Sequence, residues 1–494
     1  MLNREDLILA SILLLVYTLK MLSSYKNRYL YKHLPITLML LFSTYISNFL
    51  RGVKDTVLVS SLGAEFISFI KFYGVLPSSL IFFLCFTRLA NILQRDKLYY
   101  AIILFFCSFF MVYAFILNPL KNQLQPDLSN LITLYPAFKY QIILLQNWTI
   151  SLLYIMCEIC GTAILTLLFW QFANDLYSIK EAKENYALFG VIGQSGIIIA
   201  GFMQALISSY FFQNVSWDYT MKWMMFTIIL ASFALIIIYR FLYKKVFFNK
   251  HLCSLNHRQD KKVHLSIAKS IRYIFSSRYL WLIMLIVFCY GMSANIIDII
   301  WKNLLKNQYT TEHEYSSFVG KFNIIFGFIS VFVMLCGTYI LRKFTWLTSA
   351  LFTPVMGGVT GAIFLLSIIF KEDLLPLFHN FGNNILLMGV IMGSIQIMLF
   401  KSLNYTFVES TKEIAFIPLD RELKIKGKAA IDIIGGRSGK AFGAITQQLM
   451  FQCINPNLNN LTQEFLTLFI IIIAIWIFTV ISLNRHFLQI TNYS

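Results

Sequence analysis

The chain has 494 residues, of which 58% are hydrophobic and only 13% are charged. Soluble domains carry about 25% charged residues, so this composition excludes a soluble multi-domain protein. The formal net charge is +18, with 41 Lys and Arg against 23 Asp and Glu, which at first suggests a nucleic-acid-binding protein. The excess lies in segments between apolar runs, however, and the positive-inside bias of membrane proteins predicts that arrangement. We therefore expect the partner to be a lipid bilayer and not nucleic acid.

The first apolar run, residues 7–22, is short for a bilayer span. It is followed by the basic residues Lys26, Arg28 and Lys32, and no small-residue cleavage site of the signal-peptide type follows it. An extra span is the alternative. We expect residues 1–33 to form a leader with an amphipathic or membrane-embedded helix.

Twelve further apolar runs are long enough to cross a ~30 Å hydrocarbon core as helices. They predict an all-α polytopic membrane protein. The spans are expected at residues 34–58, 66–88, 98–117, 143–170, 187–212, 221–243, 279–301, 317–341, 347–370, 384–408, 430–452 and 465–483.

A long basic segment, residues 244–278, separates the spans into six and six. We predict an N-terminal half at 34–243, a C-terminal half at 279–494 and a cytoplasmic linker between them. The distribution of Lys and Arg puts both termini in the cytoplasm. Two six-helix halves are the layout of major-facilitator-type transporters, which rock around a site near the midplane.

In that architecture the first, fourth, seventh and tenth spans line the central cavity, and the intramembrane charges concentrate on these four spans. Lipid-facing charge is costly, so such residues usually line a polar path. They are Arg51, Lys54 and Asp55 on span one, Glu158 on span four, Asp298 and Lys302 on span seven, and Lys401 and Glu409 on span ten. For any one of them, a structural ion pair or a snorkelling side chain is the alternative.

A basic, glycine-rich stretch at residues 414–448 passes into the eleventh span. Its segment 435–441, GGRSGKA, is similar to part of a phosphate loop. A Walker A motif needs Gly where Ile434 stands and Ser or Thr where Ala441 stands, so ATP hydrolysis is excluded. Cys157 and Cys160 lack a second ligand pair, so we interpret them as packing residues and expect no metal.

Two functional classes remain. The first is a carrier for an organic anion, with Lys and Arg as counter-charges. The second is an ion channel or a proton-coupled carrier, in which Glu158 and Asp298 would be the working groups. The number of fixed positive charges favours the first class.

Several segments together resemble one family. They are RGVKDT at 51–56, FWQFAN at 169–174, Tyr290-Gly291 with Asn295 and Trp301-Lys302, Thr411-Lys412-Glu413, IPLD at 417–420 and KGKAAID at 426–432. The chain resembles the nucleotide translocase (ATP:ADP antiporter) family of obligate intracellular bacteria and plastids over most of its length after about residue 35.

This resemblance implies a twelve-span carrier that exchanges host ATP for bacterial ADP across the inner membrane. The charged residues important for transport in the family match Lys54, Glu158 and one of Lys426 and Lys428. A family glutamate falls at Asp298. We expect no enzymatic activity, no cofactor and a functional monomer.

Two departures from the family pattern concern the substrate. Asp298 is one methylene shorter than the family glutamate, and Asn404 stands where the family usually has Lys. A carrier of the same family for GTP, CTP or UTP is therefore the alternative, followed by a proton- or ion-coupled carrier.

We hypothesise that lysines bind the polyphosphate, that Arg51 or Arg437 binds it in a bidentate way, and that Glu158 and Asp298 pair with the lysines when the site is empty. Trp170, Asn174 and Asn295 are candidates to contact the base. The candidate substrate-binding residues are Arg51, Lys54, Glu158, Asn174, Asn295, Asp298, Lys302, Lys401, Lys426, Lys428 and Arg437.

Overall fold

The protein is described here from a computed structural model. The structure describes residues 27–176, 179–211, 215–243, 277–374, 384–419, 431, 436–455 and 457–492. Within these ranges the chain is helical and contains no strand. The predicted all-α class is therefore confirmed.

Six long helices form the segment up to residue 243, called the first half below. They are α1 (Asn27–Ser61), α2 (Phe66–Ile92), α3 (Arg95–Leu117), α4 (Trp148–Thr162, continuing through Ala163–Phe169 and Trp170–Leu176), α5 (Ile179–Ala205, continuing through Leu206–Phe211) and α6 (Trp217–Leu242). Between α3 and α4 lie three shorter α-helices, Lys121–Leu124, Ser129–Leu134 and Lys139–Gln146.

Six more long helices form the segment from residue 277 onwards, called the second half. They are α7 (Arg278–Gln308), α8 (Glu312–Lys343), α9 (Trp346–Ile369), α10 (Ile385–Ala415), α11 (Gly436–Cys453) and α12 (Thr462–Asn492). The predicted linker lies outside the described residues except for its last two. The predicted leader lies outside them up to residue 26, and its last residues belong to α1.

Eleven of the described helices are long and apolar enough to cross a bilayer. The twelfth, α11, coincides with the predicted span at 430–452 and has 18 residues, which corresponds to about 27 Å at 1.5 Å per residue. It is more polar than the others because Arg437, Lys440 and several glutamines lie along it. Gln447 donates to the Asn295 carbonyl of α7 and Gln448 to the Ser68 carbonyl of α2, and such contacts accommodate a polar helix in a membrane.

The two halves meet along α5 and α8. Gly201 of α5 and Gly320 of α8 lie backbone to backbone, and a Cβ atom on Gly201 would stand 2.5 Å from the Gly320 carbonyl oxygen. Gln204 and Ser208 of α5 donate to the Ser316 hydroxyl of α8 at 3.1 and 2.8 Å. Close backbone contact and shared hydrogen bonds are the usual basis of helix association in lipid.

In the described part of the chain, five of the long helices contain a π-helical segment several residues long. These segments are Ile70–Val75 in α2, Tyr113–Leu117 in α3, Ala163–Phe169 in α4, Leu206–Phe211 in α5 and Asn404–Val408 in α10. π-Segments inside α-helices are often found at functional sites. Those of α4 and α10 follow the charged residues Glu158 and Lys401 within a few residues.

Candidate substrate-binding site

Six charged side chains form a continuous chain of ion pairs where α1, α4, α7 and α10 meet. In order they are Glu158, Lys54, Asp55, Lys302, Asp298 and Lys401. The successive nitrogen–oxygen distances are 3.1, 3.0, 2.8, 2.7 and 3.7 Å. The signs alternate, so the chain is electrically neutral as a whole. We call it the ion-pair chain.

Each half of the molecule supplies three members of the ion-pair chain. Lys54 and Asp55 are on α1, and Glu158 is on α4. Asp298 and Lys302 lie one turn apart on the same face of α7, as the helical period requires, and Lys401 is on α10. Among the described residues, the halves are joined in this chain by one link, the 2.8 Å pair between Asp55 and Lys302.

The exposure of these side chains falls from the ends of the chain to its middle. Glu158 is 39% exposed and Lys401 29%, whereas Lys302 is 8% and Lys54 is 4% exposed. The ends are therefore accessible from outside the helix packing, and the space beside them is called the cleft below, whereas the middle is buried. Charges buried in this way are tolerated because each has a partner of opposite sign.

Three further cations lie around the ion-pair chain. Arg51, one turn before Lys54, and Lys440 of α11 are exposed and interact electrostatically with Glu158 and Asp298. Lys71 of α2 donates to the Asn295 side-chain oxygen at 3.3 Å. With these three, six cations face three carboxylates in the described part of the site. The site therefore carries a surplus of three positive charges.

Asn295 joins three helices beside this cluster. Its Nδ2 donates to the Lys440 carbonyl at 2.7 Å, and Gln447 donates to the Asn295 carbonyl at 3.0 Å. Its Oδ1 accepts from Lys71 of the other half. The Asn295 amide thus has protein partners and positions α11, and its contact with the base stays a prediction.

Close backbone contact between α7 and α11 supports the same arrangement. A Cβ atom on Gly439 would lie 2.6 Å from the Phe288 carbonyl oxygen, and one on Gly291 would lie 3.2 Å from Gly439. Only glycine allows the two backbones to approach this closely. Lys440, the next residue, is thereby fixed at the edge of the cleft.

Most of the predicted site residues come together here. Arg51, Lys54, Glu158, Asp298, Lys302 and Lys401 all belong to the cluster, and Asn295 adjoins it. Lys426, Lys428 and the side chains of Asn174 and Arg437 lie outside the described residues. Trp170 packs edge-to-face on Phe169 with ring centroids 5.2 Å apart.

The candidate residues named from the sequence omitted Asp55, Lys71 and Lys440. Asp55 was named among the intramembrane charges of span one, because charge in a span is costly, but it was not included among the substrate-binding candidates. Lys440 was visible in the glycine-rich stretch. Lys71 gave only the weaker signal of one isolated cation in an apolar span.

A separate apolar cavity of about 180 Å³ lies between α8, α9 and α10. Phe332, Phe352 and Leu403 are among the residues that line it, and no charged side chain does. It offers no counter-charge for an anion, so we do not assign the substrate to it.

Comparison with known proteins agrees with the resemblance seen in the sequence. The family described as TLC ATP/ADP transporter matches residues 18–487. The chain belongs to the TLC ATP/ADP transporter family. Its relatives in this family include ADP,ATP carrier protein 1 of Rickettsia prowazekii (strain Madrid E), 34% identical over 95% of each chain. ADP,ATP carrier protein 3 of Rickettsia bellii (strain RML369-C) is 35% identical over 92% of this chain and 94% of its own length.

Solved structures show the fold of this family member. A bacterial homologue of the iron transporter ferroportin, in an inward-facing state, superposes with a TM-score of 0.60 at 12% identity, covering 90% of this chain and 99% of the other. A D-xylose-proton symporter gives a TM-score of 0.55 at 12% identity, covering 91% and 96%. At this identity the likeness concerns the fold alone. The predicted major-facilitator-like polytopic architecture is thus confirmed.

Proposed function

We propose that this chain exchanges ATP for ADP across a bacterial inner membrane by alternating access, and that it catalyses no reaction. The observation that carries the proposal is the ion-pair chain with three surplus cations at the interface of the halves. A polyphosphate is a multivalent anion whose oxygens accept charge-assisted hydrogen bonds from Lys and Arg. Relatives at 34 and 35% identity are named ADP,ATP carriers, which supports this choice of anion.

The exposed cations would meet the substrate first. Arg51 and Lys440 border the cleft and form no ion pair within the described residues. A guanidinium can bind a phosphate through two parallel hydrogen bonds, whereas an ammonium acts as a compact point charge. We therefore assign the first capture of the phosphate tail to Arg51 and Lys440.

The ion-pair chain explains why exchange would be obligatory. When no nucleotide is bound, the three carboxylates neutralise Lys54, Lys302 and Lys401. Separating the halves would then break the pair between Asp55 and Lys302 and leave buried charges without partners, which costs several kcal/mol. A phosphate tail can replace the carboxylates as counter-charge. Only the loaded carrier then reorients readily.

The base would lie at the exposed side of the site. Tyr405 is 43% exposed, lies in the π-segment one turn beyond Lys401 and interacts electrostatically with Arg51. Aromatic side chains stack on nucleobases whatever their identity. Tyr405 is thus a better candidate for the base than Trp170, which packs on a neighbouring ring.

One observation supports the second candidate, a carrier of another nucleotide. Asn404, which replaces the usual family lysine, is 7% exposed, and its Oδ1 has no hydrogen-bond partner in the described structure. An unpaired acceptor of this kind discriminates strongly between ligands that do and do not offer it a donor. A proton-coupled carrier is less well supported, because Glu158 and Asp298 both form ion pairs with lysines.

The remaining parts of the proposal concern membrane orientation, oligomeric state and partners. We propose that both termini lie in the cytoplasm, since the basic segments then lie inside. We propose a functional monomer, because one chain supplies every member of the ion-pair chain. The strong positive charge is accounted for by topology and by an anionic substrate, so no nucleic-acid partner is needed.

Uptake into intact bacterial cells tests the substrate. Cells that express the chain receive labelled ATP and are then chased with excess unlabelled ADP, GTP, CTP, UTP or phosphate. We expect ADP to release the label. Release by one of the other nucleotides alone would move the assignment to the second candidate, and no nucleotide uptake in expressing cells would contradict both.

A further inference from the structure

Two tyrosines, one from each half, adjoin the buried middle of the ion-pair chain. Tyr154 of α4 and Tyr315 of α8 are both 0% exposed. Neither hydroxyl forms a hydrogen bond of normal geometry within the described residues, although Tyr154 lies close enough to the Lys54 ammonium to interact with it. A buried hydroxyl without a partner is unfavourable, and such groups in a native protein call for an explanation.

Tyr154 lies directly against the ion-pair chain. The Lys54 ammonium lies 3.8 Å from the centroid of the Tyr154 ring, a cation–π contact. Tyr154 also lies one turn before Glu158 on the same face of α4, as the helical period dictates. The ring therefore has a packing role of its own, which Phe would retain.

Tyr315 approaches the same place from the other half. It interacts electrostatically with Lys302, Asp55 and Tyr154. Its position is well defined, because the next residue, Ser316, accepts hydrogen bonds from two α5 side chains at 3.1 and 2.8 Å. The buried Tyr315 side chain is thus within electrostatic reach of Asp55, Lys302 and Tyr154.

The acceptors in that neighbourhood are few when the site is empty. The Asp55 carboxylate lies between two ammonium groups, with Lys54 at 3.0 Å from one oxygen and Lys302 at 2.8 Å from the other. Each of its two oxygens thus accepts from one ammonium group, and neither tyrosine hydroxyl bonds to them. A terminal phosphate has three strong acceptor oxygens. A phosphate in the same place would therefore need more hydrogen-bond donors than the Asp55 carboxylate needs.

We propose that Tyr154 and Tyr315 determine specificity for the terminal phosphate: their hydroxyls donate to it when it replaces the Asp55 carboxylate between Lys54 and Lys302. The nucleotide then binds with its phosphate tail at the buried middle of the ion-pair chain and its base toward the exposed ends. This inference rests on the nucleotide exchange proposed above and adds the orientation of the substrate.

The test uses the full chain in proteoliposomes with the variants Tyr154→Phe and Tyr315→Phe. Each substitution removes one hydroxyl and keeps the ring, so no hydrogen bond of normal geometry is lost from the empty carrier. We expect the apparent KM for ATP and for ADP to rise about tenfold in each variant, as for one lost hydrogen bond to a charged group. The maximal exchange rate should stay within about twofold, and the thermal midpoint should not fall.

Tyr279→Phe is the matched control. The Tyr279 hydroxyl donates to the Ala415 carbonyl at 2.7 Å, and it lies roughly 28 Å along α7 from Asp298 at 1.5 Å per residue. This variant should lower the thermal midpoint and leave the KM unchanged, the opposite pattern to the two test variants.

Three outcomes are decisive. A higher KM with an unchanged thermal midpoint supports the inference. An unchanged KM in both variants overturns it, and so does a higher KM that comes with a fall in thermal midpoint like that of Tyr279→Phe. If the wild-type protein itself exchanges no nucleotide, the proposed function fails, whereas a normal wild type with unaltered Phe variants refutes only the role of the hydroxyls.

Discussion

Lys302 contacts a carboxylate from each half of the molecule. Its ammonium lies 2.8 Å from Asp55 of α1 and 2.7 Å from Asp298 of α7. Its side chain is only 8% exposed, so water screens these contacts little. Among the described residues of the ion-pair chain, Lys302 is the one cation that bonds to both halves. Its removal should therefore affect both the stability and the transport cycle.

We predict that Lys302→Gln reduces ATP uptake by at least a hundredfold and destabilises the protein by about 3–5 kcal/mol, as when one partner of a buried pair is removed. Uptake in intact cells and the thermal midpoint of the purified protein measure the two effects. Lys121→Gln is the control, since the Lys121–Asp218 pair is 30% and 41% exposed and such pairs contribute little. Equal behaviour of the two variants would refute the role given to Lys302.

For single residues, the sequence identifies the charged side chains of the site but not how they pair. Lys54, Glu158, Asp298, Lys302 and Lys401 could be named because charge inside a span is costly. Which lysine meets which carboxylate could not be predicted, because residues such as Asp55 and Lys302 meet only through the packing of helices far apart in the chain. The assignment of family lysines to Lys426 and Lys428 stays a prediction.

Among the helices, α11 connects packing to function most directly. It lies on α7 through Gly439 and Gly291, and through the hydrogen bonds of Asn295 with Lys440 and Gln447. This contact places Lys440 at the edge of the cleft. Disturbing the backbone contact should displace the Lys440 ammonium group without altering the charge of the protein.

We predict that Gly439→Ala lowers the thermal midpoint and reduces ATP uptake about tenfold or more. A Cβ atom there would stand 2.6 Å from a backbone carbonyl, and overpacking of this kind costs about 1–3 kcal/mol. Gly193→Ala is the control, because its Cβ atom has room, with the nearest side-chain atom at 3.8 Å. Alanine otherwise favours a helix over glycine. A Gly439→Ala protein as stable and active as Gly193→Ala would contradict the packing argument.

The helices themselves were largely predictable, since length and apolarity define membrane spans. The predicted span at 430–452 corresponds to α11 even though that helix is too polar for a hydropathy criterion. The π-segments were not predicted. A π-segment depends on which backbone carbonyl a residue meets after folding, and the residues of Asn404–Val408 carry no distinctive sign of it.

In the described structure the two halves pack along α5 and α8 and share a neutral chain of charges. The site holds three more positive than negative charges among the described residues, which suits an anionic substrate. The buried Asp55–Lys302 pair would resist reorientation of an empty carrier. We therefore expect movement of the halves to depend on bound nucleotide. This expectation follows from ion pairing, and it does not depend on which nucleotide is preferred.

Efflux from proteoliposomes preloaded with labelled ADP tests this claim most directly. The label is followed with ATP in the external buffer and with buffer alone, using the purified full chain. We predict rapid loss of labelled ADP when external ATP is present and at least a hundredfold slower loss without it. Equal efflux in both conditions would show that the empty carrier reorients freely and would contradict the account.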